Sequence, residues 1–314
     1  MAGALSLPMA LRLSPAVFAG GTPVVLVTAD TQARVAAIDL TTGVIFRSIE
    51  TAPGPRSIES VSGIAAVVCH TAHGQVSLID GPSLRVRHVL QGFGEPRYTA
   101  AAPNGRHAFI TDSRLQEVLT VDVTRGEVVG RVAVGGPARH VSIDPAGRIL
   151  WVSLGSKAER VAIVDISRPA SPRLLHLVRP PFLAHDVGFA SGGRHVWVSS
   201  GDRGQLAVYD RRSRAVLRRL EADAPPQHVT FLGGRAFVTS GDDGTLRVQS
   251  LQDGRVIGRT KVPVGSYNVQ EVFGQVVTPS LDRGTLCIVD RAGRLTRRLQ
   301  VARSSHDACF VMSA

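Results

Sequence analysis

Two adjacent columns of polar residues carry what chemistry this chain could do. Short segments beginning at Pro55, Pro96, Pro137, Leu183, Pro225, Gly265 and Ser304 align with one another, reading PRSIE, PRYTA, PARHV, LAHDV, PPQHV, GSYNV and SSHDA. The third position of each gives Ser57, Tyr98, Arg139, His185, Gln227, Tyr267 and His306; the fourth gives Ile58, Thr99, His140, Asp186, His228, Asn268 and Asp307. Four of the 10 histidines fall in these columns, and His-Asp occurs at 185–186 and again at 306–307. Neutral imidazoles with carboxylates can hold a divalent transition metal with an open position for water or substrate. Without a metal, a carboxylate can fix a histidine tautomer and make it a general base. His185, His228 and His306 are the preferred ligands or bases, with His140 as a fourth ligand. Asp186 and Asp307 would orient them, while Tyr98, Arg139, His140, Tyr267 and Asn268 would hold substrate. Neighbours on a strand face opposite sides, so His185 and Asp186 need not touch. Taken singly, each histidine reads first as polar channel lining bonded to nearby backbone.

Residues so far apart meet only if a repeat brings them together, and the chain carries one. Apolar strands end in Asp at Asp39, Asp80, Asp122, Asp165, Asp210 and Asp290, with Ser250 in the remaining place. The spacing of about 40 to 45 residues is that of a four-stranded propeller blade. Four strand signals follow in each unit, broken by Gly, Pro or Asp: Pro137 to Ile143, Ile149 to Ser153, Arg160 to Asp165 and Arg173 to Leu177 in one of them. The closing Asp can accept backbone amides two residues on and fix the next hairpin. The expectation is an all-β, seven-bladed β-propeller of four-stranded antiparallel blades over residues 23–314, preceded by an arm or leading strand at 1–22. The element from Ser305 has no later strands of its own, and the unit from Pro23 lacks an inner strand. The C-terminal strand should therefore complete the N-terminal blade and leave no open edge.

The second strands carry a recurring phrase: VLVTA at Val25, AFITD at Ala108, LWVSL at Leu150, VWVSS at Val196 and AFVTS at Ala236. With the PxGR turns at Pro103 and Pro145, the chain from about residue 23 to 312 resembles the YVTN, or YncE-like, β-propeller repeat family. That resemblance implies the fold; its relatives include lactonases, lyases, cofactor-binding domains and non-enzymatic binders, so it leaves the activity open.

Bulk properties narrow the field. The 314 residues are 44% apolar, enough for a large core, and no apolar run approaches the length of a membrane span. The N-terminal stretch is interrupted by Pro8, Arg12 and Pro15 and makes a poor secretion signal, so the default location is cytoplasmic. Cys69, Cys287 and Cys309 are an odd number without CxxC spacing, which argues against disulfides or a zinc knuckle. Cys69 ends a strand, with His70 and His73 in the loop that follows, and one short loop supplies too few ligands to close a metal site. The formal net charge of +11 comes from arginine, with lysine only at Lys157 and Lys261. The runs Arg211 to Arg219 and Arg291 to Arg298 fall on outer hairpins without interleaved aromatics, which argues against a nucleic-acid partner. Arg56, Arg97 and Arg139 fall at the mouth and would attract an anionic small molecule. No GxSxG, HExxH, P-loop or GxGxxG motif occurs. Two readings follow. One is a propeller that binds a small molecule or peptide at one mouth, as a hydrolase or lyase in its enzymatic form and with a divalent metal as the cofactor to seek. The other is a non-catalytic scaffold that docks a protein.

Overall fold

The computed structural model describes residues 21–222 and 224–314; the arm expected at 1–22 falls almost wholly outside them. The described residues form seven four-stranded antiparallel sheets, each ordered from an inner to an outer strand. Six sheets are continuous in sequence. The seventh joins Ala308–Ser313 to Thr22–Ala29, Arg34–Asp39 and Ile45–Glu50, so the two ends of the chain share a blade, as the repeat pattern requires. Met312 pairs with Pro23 and Ala308 with Val27 across that seam.

Apolar runs in the second and third strands build the ring because both faces of each blade are buried. Val24 and Leu26 join Ile58, Ala66 and Val68 in the cluster between the first and second blades. Val25 and Val27, the residues between, face the other way into a cluster with Val272, Val277 and Ile288. This period-2 alternation feeding two interfaces at once makes VVLV a continuous apolar run rather than an alternating one.

The strand-ending aspartates do the work expected of them. The Asp39 carboxylate accepts the amides of Thr41 and Thr42 at 2.7 and 2.9 Å, and Asp210 accepts those of Arg212 and Ser213 at 3.0 and 2.8 Å. Asp290 does the same for Ala292 and Arg294, and the Ser250 hydroxyl accepts from Gln252 at 3.2 Å. The outer strands bear the arginine runs: Val216–Glu221 and Leu295–Gln300 are largely exposed. All three cysteines are free and buried. No helix among the described residues is long and apolar enough to cross a membrane.

In three blades the inner strand is shorter than the sequence suggests. Val141–Ile143, Val229–Leu232 and Gln270–Val272 are regular strand, and the polar residues lie in the approach just ahead of them. A hydroxyl from the second strand fixes that approach. Ser153 Oγ accepts the amide of His140 at 3.2 Å and donates to the carbonyl of His185 in the next blade at 2.8 Å. Ser199 links the Asp186 amide to the Gln227 carbonyl in the same way, and Thr239 links the His228 amide to the carbonyl of Tyr267. The Ser or Thr of each second-strand phrase is thus a pin between one blade and the next.

The pins also correct the register of two columns. Ser57 pairs with Cys69 as His140 does with Ser153, and the Tyr98 amide donates to Thr111 Oγ at 3.0 Å. Ser57 and Tyr98 therefore stand level with His140, Asp186, His228, Asn268 and Asp307, not with Arg139 as aligned from the sequence. Arg56 and Arg97 stand level with Arg139. The proline used to align the segments sits one residue closer to the strand in these two blades, so proline is not the register mark; the hydroxyl is.

Candidate functional site

The corrected inner column lines the central channel. Ser57, Tyr98, His140, Asp186, His228, Asn268 and Asp307 all face a cavity of about 390 Å³. Glu59 and Gln270 face it further along, and burial pushes the Glu59 carboxyl up to about 8. At one end of the cavity the imidazoles of His140, His185 and His228, from three consecutive blades, meet. One ring nitrogen from each lies within 4.8 Å of those of the other two. The ring centroids of His140 and His185 are 4.4 Å apart, those of His140 and His228 4.7 Å, and those of His185 and His228 5.6 Å.

The partners of the Nδ1 atoms decide how these rings present themselves. His185 Nδ1 lies 2.9 Å from the carbonyl of Ser156, which can only accept, so Nδ1 carries the proton. His228 Nδ1 lies 3.4 Å from the Asp186 carboxylate. His140 Nδ1 is 3.4 Å from Ser153 Oγ, whose own proton is directed at the His185 carbonyl. His185 Nδ1 and His140 Nδ1 are therefore donors, and both rings keep an Nε2 lone pair; the Asp186 carboxylate that faces His228 also accepts the Val229 amide at 3.1 Å. His140 Nε2 is buried without a hydrogen-bond partner among the described residues. Burial, then the charges of His185 and His228, hold His140 well below the ordinary histidine range; burial and then His228 lower His185 to about 4. Imidazoles anchored by neighbouring acceptors, each bringing one ring nitrogen close to the other two, are the arrangement that transition metals select.

Tyr98 lies against this group. Its ring is 4.4 Å from that of His140, and its hydroxyl is 3.5 Å from His228 Nε2. Burial raises its pKa far above the usual phenol range. His306 is outside the trio. Its Nδ1 is 3.1 Å from Asn268 Nδ2 and 3.2 Å from the carbonyl of Arg56, and its ring is 6.3 Å from Tyr98. Asp307 does not orient His306 but accepts the amides of Ile58 and Ala308 at 3.1 and 2.9 Å, in surroundings whose burial raises its pKa well above normal. Asp186 likewise serves the histidine of the next blade rather than its sequence neighbour. Tyr267 stands at the rim, its hydroxyl 3.2 Å from Asp242. His70 is tied to the Pro53 carbonyl and Ser77 Oγ at 3.1 and 2.8 Å, a structural role.

Three further residues shape the trio. Ser153 and Ser156 hold two of the imidazoles, and Gly201 leaves room for the Ser156 carbonyl, which a Cβ at that position would strike. The signal for Ser153 was present in the second-strand phrase; a backbone carbonyl such as that of Ser156 leaves none.

The fold and the channel-mouth cluster define a propeller of repeated blades with a polar centre. The PQQ_2 family model, described as outer membrane protein assembly factor BamB, matches residues 137–305, more than half of the chain, and the chain belongs to that family. This is a propeller-repeat family other than the YVTN one that the strand phrases resemble. No curated protein matches the chain. Among solved structures, hydrazine synthase from Kuenenia stuttgartiensis is similar at 14% identity and a TM-score of 0.70, over 82% of this chain and 89% of that one. Apo AztD from Citrobacter koseri is similar at 13% identity and a TM-score of 0.69, over 93% and 98%. The dihydro-heme d1 dehydrogenase NirN in complex with DHE gives 14% identity and a TM-score of 0.65, over 91% and 74%. At such identity the likeness concerns the fold.

Proposed function

We propose that this propeller binds one divalent transition metal ion, of the zinc class, through His140, His185 and His228. The open position on that ion would present a small-molecule ligand at the channel mouth. The observation that carries the reading is the convergence of one ring nitrogen from each of the three imidazoles within 4.8 Å, with His185 Nδ1 held by the Ser156 carbonyl and His140 Nδ1 by Ser153 Oγ. Three imidazoles around zinc leave a fourth position for water or ligand. Bound there, the metal would supply Lewis acidity and an activated water, the chemistry a hydrolase or lyase would use. Tyr98, touching both His140 and His228, would order the molecule at the open position. His306 and Asn268 form the adjoining wall, and Asp186 is a positioning residue for His228. Within the propeller repeats, the YVTN-like reading is supported by the hydroxyl that Thr28, Thr111 and Thr239 share with the threonine of that motif.

Protein docking is a second reading, favoured by Leu174, Leu175 and Leu177, exposed together on the outer strand Arg173–Val178. It uses the rim and leaves the channel site untouched.

The test is the zinc content of untagged protein after loading and desalting, beside His140→Ala and His228→Ala. The reading expects close to one equivalent in the wild type and under a tenth of that in either variant. Wild type that holds no zinc, copper, iron, cobalt or nickel after loading would end it.

A further inference from the structure

Beside the three histidines, the mouth carries an excess of guanidinium groups. Arg56, Arg97 and Arg139 occupy the same register position on three consecutive blades, as their strand pairing shows. Arg56 and Arg97 line a cleft of about 470 Å³ together with Arg114, Asp30 and Glu95. Arg139 holds the same register on the next blade, next in sequence to His140, and its charge acts on Tyr98, Arg97, Arg56 and Glu95 as well as on His140 and His185.

Two of these cations lie beside carboxyl groups, that of Asp30 raised by burial to about 7. Arg97 pairs with Glu95 at 2.7 Å, and Arg56 with Asp30 at 3.5 Å. Among the described residues Arg114 and Arg139 make no ion pair, and Arg139 Nε is buried without a hydrogen-bond partner. A buried donor left without an acceptor is costly, and an arginine fork is shaped for a carboxylate. One unpaired charge, Arg139, lies beside the histidine trio and the other, Arg114, lines the cleft with Arg56 and Arg97, so a ligand with two separated anionic groups answers both. A single acetate or phosphate answers only one.

We propose that the mouth binds a small dicarboxylate, one carboxylate against Arg139 beside the histidine trio and the other on Arg114 and Arg97 in the cleft. The proposal deepens the metal reading and rests on it only for the inner carboxylate, which would share the open metal position with Arg139.

Calorimetric titration of succinate, acetate and inorganic phosphate tests it, using wild type, Arg139→Gln and Arg114→Gln, each zinc-loaded and chelator-stripped. Succinate should bind the zinc-loaded wild type at least tenfold more tightly than acetate or phosphate, and each variant should weaken succinate at least fivefold. Equal affinity for succinate and acetate, or succinate binding unchanged in both variants, would overturn the proposal. Zinc content of the same samples separates the two readings. Protein that takes no zinc yet binds succinate through Arg139 and Arg114 would end the metal reading and keep the dicarboxylate site. Protein that holds zinc and ignores succinate would do the reverse.

Discussion

At the scale of single residues, the second nitrogen of each imidazole matters as much as the one facing the centre. Asp186 reaches across from the neighbouring blade, its carboxylate 3.4 Å from His228 Nδ1. Replacing it with asparagine keeps the shape and removes the charge, so Asp186→Asn should weaken zinc about 10- to 100-fold; competition against a chromogenic chelator would measure it, and an unchanged affinity would remove Asp186 from the site. The same buried rings make stability depend on pH. Folding lowers His185 to about 4, whereas an unfolded histidine titrates near 6.5. The unfolded chain therefore binds the extra proton, and the contribution is complete above pH 6.5 and lost as pH falls toward 4. Metal-free wild type should lose melting temperature across that window more steeply than His185→Gln, which has no ring to protonate; parallel curves would contradict the assignment. The columns in the sequence brought Tyr98, Arg139, His140, His185 and His228 to one mouth. They did not single out the trio, because rings converge by side-chain direction and by partners such as the Ser156 carbonyl, neither of which a residue type encodes.

Among the elements, the second strand both fills the core and sets the register of the inner one. Thr239 is fully buried and ties the His228 amide to the Tyr267 carbonyl of the next blade. Thr239→Val keeps the volume and strands both backbone groups, at a cost of about 1–3 kcal/mol by chemical denaturation. A variant as stable as wild type would mean that the hydroxyl is not a pin. The blade count and outer hairpins were legible because Asp39, Asp122, Asp210 and their equivalents act locally, on amides two or three residues away. The one-residue offset at Arg56 and Arg97 was not legible from proline. It follows from pairing with Cys69 and Thr111, partners about 13 residues on, and the VVCH phrase hides its place in the series by putting Cys69 where other blades carry a hydroxyl.

At the scale of the whole molecule, the ring is closed by Ala308–Ser313 lying against Thr22–Ala29, and the same segment places His306 and Asp307 at the channel. Deleting residues 305–314 exposes the edge of Thr22–Ala29 and uncovers Val24 and Val25, so the truncated protein should lose its single cooperative melt. An undiminished transition would show that the remaining blades hold the ring by themselves. Three consecutive blades of this ring each bring a ring nitrogen of His140, His185 or His228 to one place, which we propose holds a metal ion. X-ray absorption at the zinc edge of loaded wild-type protein is the most direct measurement of that claim. Three imidazole nitrogens at about 2.0 Å with one further light ligand are expected, with a lower imidazole count in His140→Ala. A shell of oxygens without imidazole scattering, or the same spectrum in the variant, would contradict it.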